Sequence, residues 1–409
     1  MQQMITTSPQ WIELIENPSL LEFCYQQSDA SIQKLALKLQ KNHPQWPRHA
    51  ILAQIQNIQK ARYKLPAWVR AQCVFPTQAY EQATGQRAAA LKKFEPGALA
   101  YDLGSGLGVD SWNLSRYFQR VCAIEQDPLL CKISSYNLHS RLGCANIDII
   151  PESIRRFDWK NAKVDLIYID PARRNSIQSK IVALQHLEPN IEELLPFLLP
   201  QARQITLKLS PLFDLREGIR RLPNVTKVQV ISIDGECKEV VFQMSQVPTA
   251  GLEIQALIDR NGYIYSFSAQ LEELKALELP LALEAPFLYE ADVAIYKAGL
   301  ESLLLNRFQE KGALGWTSKG GYLLAERILE NFPGKGYAIE GPYKYSKRQT
   351  PKFLRQKHIT SATFTKKNFP ISTAEIYKHL QVYQKEDRFI LFTRNKYNEN
   401  IFFIGSLLK

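Results

Sequence analysis

Between residues 98 and 244 strand-length apolar runs alternate with helix-length segments, and this rhythm constrains the fold more than any other feature of the chain. The runs are Ala98–Leu103, Val121–Glu125, Ile147–Ile150, Val164–Asp170 and Gln204–Leu209. Strands joined by crossovers of that length run parallel and carry helices on both faces. The rhythm then breaks. Val225–Ile233 and Glu236–Met244 flank Asp234-Gly235, a dipeptide suited to the positive φ angles of a two-residue hairpin turn. The expectation is an α/β sheet of seven strands, five parallel and the last two an antiparallel hairpin.

The end of the first run carries a candidate ligand site. Asp102 closes the strand, and Gly104, Gly106 and Gly108 follow at alternate positions with Ser105 between the first two. Glycine suits a backbone that must turn sharply and approach a ligand without an obstructing Cβ. A helix expected near Asp110–Phe118 would offer its free N–H groups to an anionic group. Glu125 ends the second run, seventeen residues after Gly108, where a carboxylate can accept both ribose hydroxyls. Glu152, just after the third run, is a candidate for an adenine amine, with Asp148 as its competitor. Dinucleotide sites also have an acid about 20 residues past their glycines. The spacing here is GxGxG rather than GxGxxG, an acid precedes it, and Asp-Pro follows the fourth run; these favour S-adenosylmethionine. A P-loop is excluded because no Gly-Lys-Ser/Thr ends the turn.

The fourth strand delivers Asp170-Pro171-Ala172-Arg173-Arg174 to the carboxyl edge of the sheet, where ligands meet open α/β folds. Asp170 is a candidate to accept a hydrogen bond from an acceptor N–H and offset its developing charge; Pro171 stiffens that turn. The plainer alternative is a capped strand-to-loop turn. Arg173 and Arg174 suit phosphate contact or a solvated basic loop equally. Lys208, at the end of the fifth strand before Ser210, is expected to favour an anionic substrate. Cys237 reads as a buried hairpin cysteine rather than a nucleophile.

The flanks differ in composition. Residues 1–92 carry helix-spaced apolar residues such as Ile51, Leu52, Ile55 and Ile58, punctuated by Pro44, Pro47 and Pro66, and suggest a helical domain. Residues 93–248 hold the sheet. Residues 249–340 are a mixed α+β stretch with a hairpin at Asn261-Gly262 and a helix expected over Ala291–Leu305. In 341–409 a loop-rich start, Gly341–Gln356, precedes a helix at Thr373–Leu380 and strands at Phe389–Thr393 and Ile401–Ile404. That last segment holds 14 Lys and Arg against 4 Asp and Glu, nearly all of the chain's net charge of +11. Charge segregated in this way points to a polyanionic partner. Lys344, Lys347, Arg348, Lys352, Arg355 and Lys357 are candidate phosphate contacts. The interleaved Tyr343, Tyr345 and Phe353 either stack on bases or fill a core.

No apolar run approaches the roughly 18 residues that cross a bilayer, and the amino terminus lacks signal-peptide character. Six cysteines without a CxxC pair suggest reduced thiols in a cytoplasmic protein and no metal centre.

A further set of segments carries a family likeness: Glu81-Gln82-Ala83-Thr84, Asp102–Ser111, Tyr168–Arg174, Lys208–Pro211, Glu236–Glu239, Phe287–Glu290 and Asn368-Phe369-Pro370. Together they resemble bacterial class I methyltransferases, dependent on S-adenosylmethionine, that carry a C-terminal THUMP-like domain. The resemblance implies a Rossmann-like fold, that cofactor, and association with RNA rather than DNA, tRNA or rRNA being the expected substrate. It also implies a small ferredoxin-like module over roughly 280–340, and a role for Gln82 and Thr84 in closing over the cofactor. One departure stands out. Base-amine methyltransferases have Asp/Asn-Pro-Pro-aromatic at this edge, whereas Ala172 and Arg173 occupy the last two positions here. An arginine plane can stack on a base. Asp-Pro-x-Arg is also similar to uridine C5 methyltransferases, which need a cysteine where this chain has Ser210. A reading from another class is a non-catalytic RNA-binding or assembly protein that keeps the fold.

Overall fold

The computed structural model describes residues 8–157, 163–173, 184–247, 251–380, 382 and 388–408. They fall into two compact units. Unit 1 comprises residues 1–228 and 238–250, and unit 2 comprises 229–237 and 251–409.

Unit 1 begins with seven helices: α1 (Gln10–Glu16), α2 (Pro18–Gln26), α3 (Ile32–Asn42), α4 (Arg48–Lys64), α5 (Pro66–Arg70), α6 (Thr77–Gln82) and α7 (Gln86–Leu91). The helical expectation for residues 1–92 is met, but no separate core goes with it. Trp11, Leu14, Ile51 and Trp68 belong to the same apolar cluster as Val121, Ile133, Leu166 and Tyr168 of the sheet region. The buried face of α4 also carries two amides, and each has work to do. Gln54 donates to Cys73 O and accepts from Phe75 N, while Asn57 donates to Phe75 O, satisfying the extended backbone after α5.

The strands are β1 (Gly97–Leu103), β2 (Phe118–Glu125), β3 (Ile147–Pro151), β4 (Val164–Ile169), β5 (Ala202–Leu209), β6 (Val225–Ile233) and β7 (Glu236–Ser245). They lie in the order β3-β2-β1-β4-β5-β7-β6. Pairings β2–β3, β1–β2, β1–β4 and β4–β5 are parallel, and β5–β7 is antiparallel. This is the seven-strand plan expected from the rhythm of the sequence. The crossover direction reverses between β1 and β4, which opens a crevice at their carboxyl ends. The helices of this stretch are α8 (Val109–Leu114), α9 (Pro128–Ser135), α10 (Ile191–Leu198) and α11 (Leu215–Arg221). α8 is shorter than the expected Asp110–Phe118, because the chain turns at residues 115–117 and Phe118 already opens β2. A π-helical turn, Tyr136–Arg141, continues α9. Its Asn137 exchanges two 2.8 Å hydrogen bonds with the backbone of Val74.

In unit 2 the hairpin β8 (Glu253–Arg260) and β9 (Tyr263–Gln270) lies beside the turn at Asp234, whose N–H donates to Asp259 O. After α12 (Leu271–Ala276) come β10 (Phe287–Ala291), α13 (Val293–Ala298), α14 (Glu301–Gln309), β11 (Ala313–Trp316), β12 (Leu323–Ala325), β13 (Gly334–Lys344), α15 (Gln349–Gln356), β14 (Thr363–Lys366), α16 (Thr373–Leu380), β15 (Phe389–Arg394) and β16 (Asn400–Leu407). The expected single helix over Ala291–Leu305 is two, because Gly299 adopts φ +69° and caps α13. The expected loop over Gly341–Gln356 instead holds the end of β13 and all of α15. Pro351 falls in the first turn of α15, where its missing N–H costs nothing.

Seven strands form one sheet in the order β11-β12-β10-β13-β16-β15-β14. The expected boundary at 340/341 therefore cuts through β13, which pairs with β10 on one side and β16 on the other. A ferredoxin-like module over 280–340 has no sheet of its own for the same reason. The sheet is buried on both faces. Ile390, Phe392, Phe402 and Ile404 join one cluster, while Leu391, Ile401 and Phe403 join another. The period of two sorts alternate residues to opposite faces, so β15 and β16 read as unbroken apolar runs.

A glycine turn beside a buried chain of charges

Asp102 is buried near the end of β1 and accepts a hydrogen bond from Ser111 Oγ at the start of α8. Burial, followed by the neighbouring Asp110 charge, pushes its carboxyl up to about 7. The turn that follows needs its glycines for different reasons. Gly104, Gly106 and Gly108 all have positive φ, at +77°, +55° and +90°. At Gly108 a Cβ would lie 2.7 Å from Leu138 Cδ1, so the position is closed by packing. At Gly106 a Cβ would meet nothing within 4 Å, so that face of the turn is open. Ser105 lies between Gly104 and Gly106, with its N–H and that of Gly104 donating to Ile124 O.

Glu125 ends β2 against this turn. One carboxylate oxygen accepts from Gly106 N at 3.0 Å and the other from Asp127 N at 2.9 Å. Burial raises its pKa, and the backbone donors oppose that rise. Glu152 follows β3 and accepts from its neighbour Ser153 N. Asp148 drops out of contention. It sits inside β3, opposite Cys122, with an exposed ion pair to Arg120.

At the carboxyl edge of β4 and β5 the charges form an alternating chain: Glu239, Lys92, Asp110, Lys208, Asp170. Lys92 Nζ lies 2.8 Å from both Glu239 Oε1 and Asp110 Oδ1, and its side chain is 1% exposed. Lys208 Nζ reaches Asp110 Oδ2 at 3.2 Å and forms a close ion pair with Asp170 Oδ2. Thr84 sits at the centre, donating to Asp110 Oδ2 and accepting from Lys208 Nζ at 2.6 Å. Burial alone would raise Asp110, but Lys208 and Lys92 hold it well below the usual carboxylate range. Burial would likewise lower Lys208, but Asp110 and Asp170 raise it. Asp170 is raised by burial against the opposing pull of Lys208. Every buried charge in the chain has an opposite partner, as burial requires.

This arrangement revises two expectations. Lys208 does not face an anionic substrate, since its ammonium is buried and occupied by Asp110, Asp170 and Thr84. Thr84 is likewise committed to that chain, while Gln82, at the end of α6, is exposed. Asp170 remains one-third exposed, and Oδ2 is the oxygen that meets Lys208. Pro171 follows directly, and backbone residues 172–173 pair with Leu187–Glu188. The side chain of Arg173 and all of Arg174 lie outside the described residues. Cys237, on β7, forms no disulfide and is half-buried where burial was expected. Residues that sequence reasoning missed are Lys92, Asp110 and Glu239 as members of the chain, with Ser111 and Ser134 as supports of the turn; Ser134 Oγ donates to Gly106 O. A signal existed for Glu239 and Lys208: each is a charge set next to the apolar core of a central strand.

In unit 2 the six candidate cations Lys344, Lys347, Arg348, Lys352, Arg355 and Lys357 are all exposed. Lys344 pairs with Glu399 and Lys357 with Glu340, both at 3.2 Å. Tyr345 does not stack outward; it is core, edge-on to Phe369 and Phe392. Tyr343 and Phe353 are half-buried, with ring centroids 4.6 Å apart. Among the described residues no group of three His, Cys, Asp or Glu side chains could hold a metal, and no helix is long and apolar enough to cross a membrane.

Residues 334–406 match the family model described as THUMP domain-like. Nearly the whole chain superposes on a crystal structure described as "putative methyltransferase from Porphyromonas gingivalis W83", with a TM-score of 0.79 and 23% identity over 96% of this chain and 98% of that one. An RNA methyltransferase from Salinibacter ruber in complex with S-adenosyl-L-homocysteine aligns at TM-score 0.26 and 18% identity, covering 37% of this chain and 82% of that one. The M. capricolum TrmK complex with S-adenosyl-homocysteine aligns at TM-score 0.29 and 10% identity, covering 42% of this chain and 69% of that one. No curated protein sequence matches the chain. The first superposition and the strand order assign unit 1 a Rossmann-like methyltransferase fold.

Proposed function

We propose that the chain is an S-adenosylmethionine-dependent methyltransferase acting on RNA, with a tRNA or rRNA base as acceptor. The observation that carries the reading is the turn at the end of β1, open at Gly106 and braced by the Glu125 carboxylate. When bound there, the cofactor supplies an electrophilic methyl group. Glu125, fixed by two backbone donors, keeps lone pairs for the ribose hydroxyls, and Glu152 is the candidate for the adenine amine. Asp170 spends Oδ2 on Lys208 and keeps Oδ1 for an acceptor N–H. Burial raises this carboxyl while Lys208 keeps it ion-paired, and the contribution proposed for it is to hold the acceptor in line. Pro171 limits the freedom of that turn, and Arg173 is proposed to stack on the target base.

The RNA part rests on the THUMP-like match together with the six exposed cations. Calorimetry tests the cofactor: binding by the wild type that is lost in Gly106→Arg is expected, and no wild-type binding would sink the reading. Comparison of modified nucleosides in RNA from deletion and parent strains tests the acceptor. A missing methylated nucleoside is expected, restored by the wild type and not by Asp170→Ala. The rival reading, a non-catalytic RNA-binding protein, draws on Ala172 and Arg173 in place of Pro-aromatic and on the pairing of Asp170. It gains if cofactor and RNA bind while every methylated nucleoside persists in the deletion strain.

A further inference from the structure

We infer that unit 2 holds a pocket for one unstacked nucleotide, which makes its partner single-stranded RNA; the inference rests on the reading that the chain binds RNA. A cavity of about 370 Å³ opens between α15, the end of β13 and β16. Sites of this size take small ligands, and the cavity is too small for a duplex. Its floor is the buried Phe402, and the half-buried rings of Tyr343 and Phe353 line its side. Aromatic surface of this kind accepts any base through its π-face.

The helix facing the cavity is unusual in what it presents. Gln349, Lys352, Phe353 and Gln356 recur at the i, i+3, i+4, i+7 spacing of one helical face, and all four line the cavity. Thr350 and Leu354 on the same helix are buried. Among the described residues the side-chain amides of Gln349 and Gln356 and the ammonium of Lys352 have no protein partner. Each amide offers both donors and an acceptor, the complement of a base edge. Lys352 and Lys344 supply positive charge for the phosphate. The Lys344 pair with Glu399 is exposed, so exchange for a phosphate costs little. Lys347 and Arg348 do not line the cavity and serve as an internal control.

The test uses the full chain and three probes: a labelled twelve-nucleotide oligo(A) RNA, a fully paired RNA hairpin and adenosine monophosphate. Gln356→Trp fills the cavity without altering charge, and Gln349→Trp is a second filling variant should the first lose its melting transition. Oligo(A) affinity is expected to fall about tenfold in either, as loss of one stacked base predicts, with hairpin affinity unchanged. Lys344→Ala/Lys352→Ala is expected to make the salt dependence of oligo(A) binding shallower by about 1.4 in log–log slope. Lys347→Glu/Arg348→Glu weakens both RNAs alike. Unchanged oligo(A) binding in both filling variants overturns the inference, as does an equal loss for the hairpin. Binding of the mononucleotide without the oligonucleotide reassigns the cavity to a free nucleotide and also overturns it. If the wild type binds neither RNA, the RNA reading itself fails, whatever calorimetry finds for the methyl donor.

Discussion

At Gly106 and Gly108 the same residue type answers two different constraints. Gly106→Ala meets no atom within 4 Å and carries only left-handed strain, about 1–2 kcal/mol. It should keep a cooperative melt while losing affinity for the methyl donor. Gly108→Ala adds a clash with Leu138 to the same strain, so chemical denaturation should show a loss larger by about 1–3 kcal/mol. Equal losses in the two variants would contradict the packing argument. The charge chain gives a second prediction. Lys92→Met strands Glu239 and half of Asp110, and should destabilise by about 3–5 kcal/mol in urea. Lys92→Met/Glu239→Leu should recover much of that; failure to recover would mean that the pair does more than neutralise itself. Asp102 adds a pH dependence. Its folded carboxyl titrates near 7, above the ordinary carboxylate value, so folding favours the protonated form. That contribution is full below about pH 4 and is lost as pH rises toward 7. Asp102→Asn should therefore gain on the wild type across that window, and a pH-independent difference would refute it.

At the scale of elements, the sequence was most legible where one local rule sufficed. The parallel strands, the Asp234-Gly235 hairpin and α16 lie close to where periodicity and turn chemistry set them. α15 and the break at Gly299 were not legible. An eight-residue helix with a proline in its first turn resembles a loop, and its formation depends on burying Leu354 in a core assembled from distant strands. The link between Asn137 and Val74 belongs to this scale too. Asn137→Ala leaves the N–H and C=O of Val74 unpaired in a buried setting, about 1–3 kcal/mol for each group. Limited proteolysis should then open the chain near residues 70–76 before the rest of unit 1 yields. Cleavage unchanged from wild type would show that the helices hold that segment without the amide.

For the whole molecule, the continuity of β13 decides how the basic segment can be studied. Removing residues 341–409 cuts β13, deletes one apolar cluster whole along with β14, β15 and β16, and exposes Leu288, Tyr322, Leu324 and Tyr337 of the other. Such a truncation should aggregate, and loss of RNA binding in it would mean nothing. Charge reversal in the intact chain is the sounder probe. Lys347→Glu/Arg348→Glu/Lys357→Glu should leave the melting temperature within a few degrees while RNA affinity falls and its salt slope shrinks by about 2. A slope that stays put would move the RNA surface elsewhere. The sequence by itself determined the succession of strands along the chain, the closing hairpin, the glycine turn, the acid at the end of β2 and the segregation of positive charge, because each is written in neighbouring residues or in simple counts. Tertiary structure alone decided what the charges at the sheet edge do. Lys92 and Glu239 stand 147 residues apart and Lys208 and Thr84 stand 124 apart, and only folding brings them within hydrogen-bond reach. A carboxylate at the end of β4 could be read from the sequence. That it is held by a buried lysine could not, because such pairing depends on which strands become neighbours and on how little water remains between them.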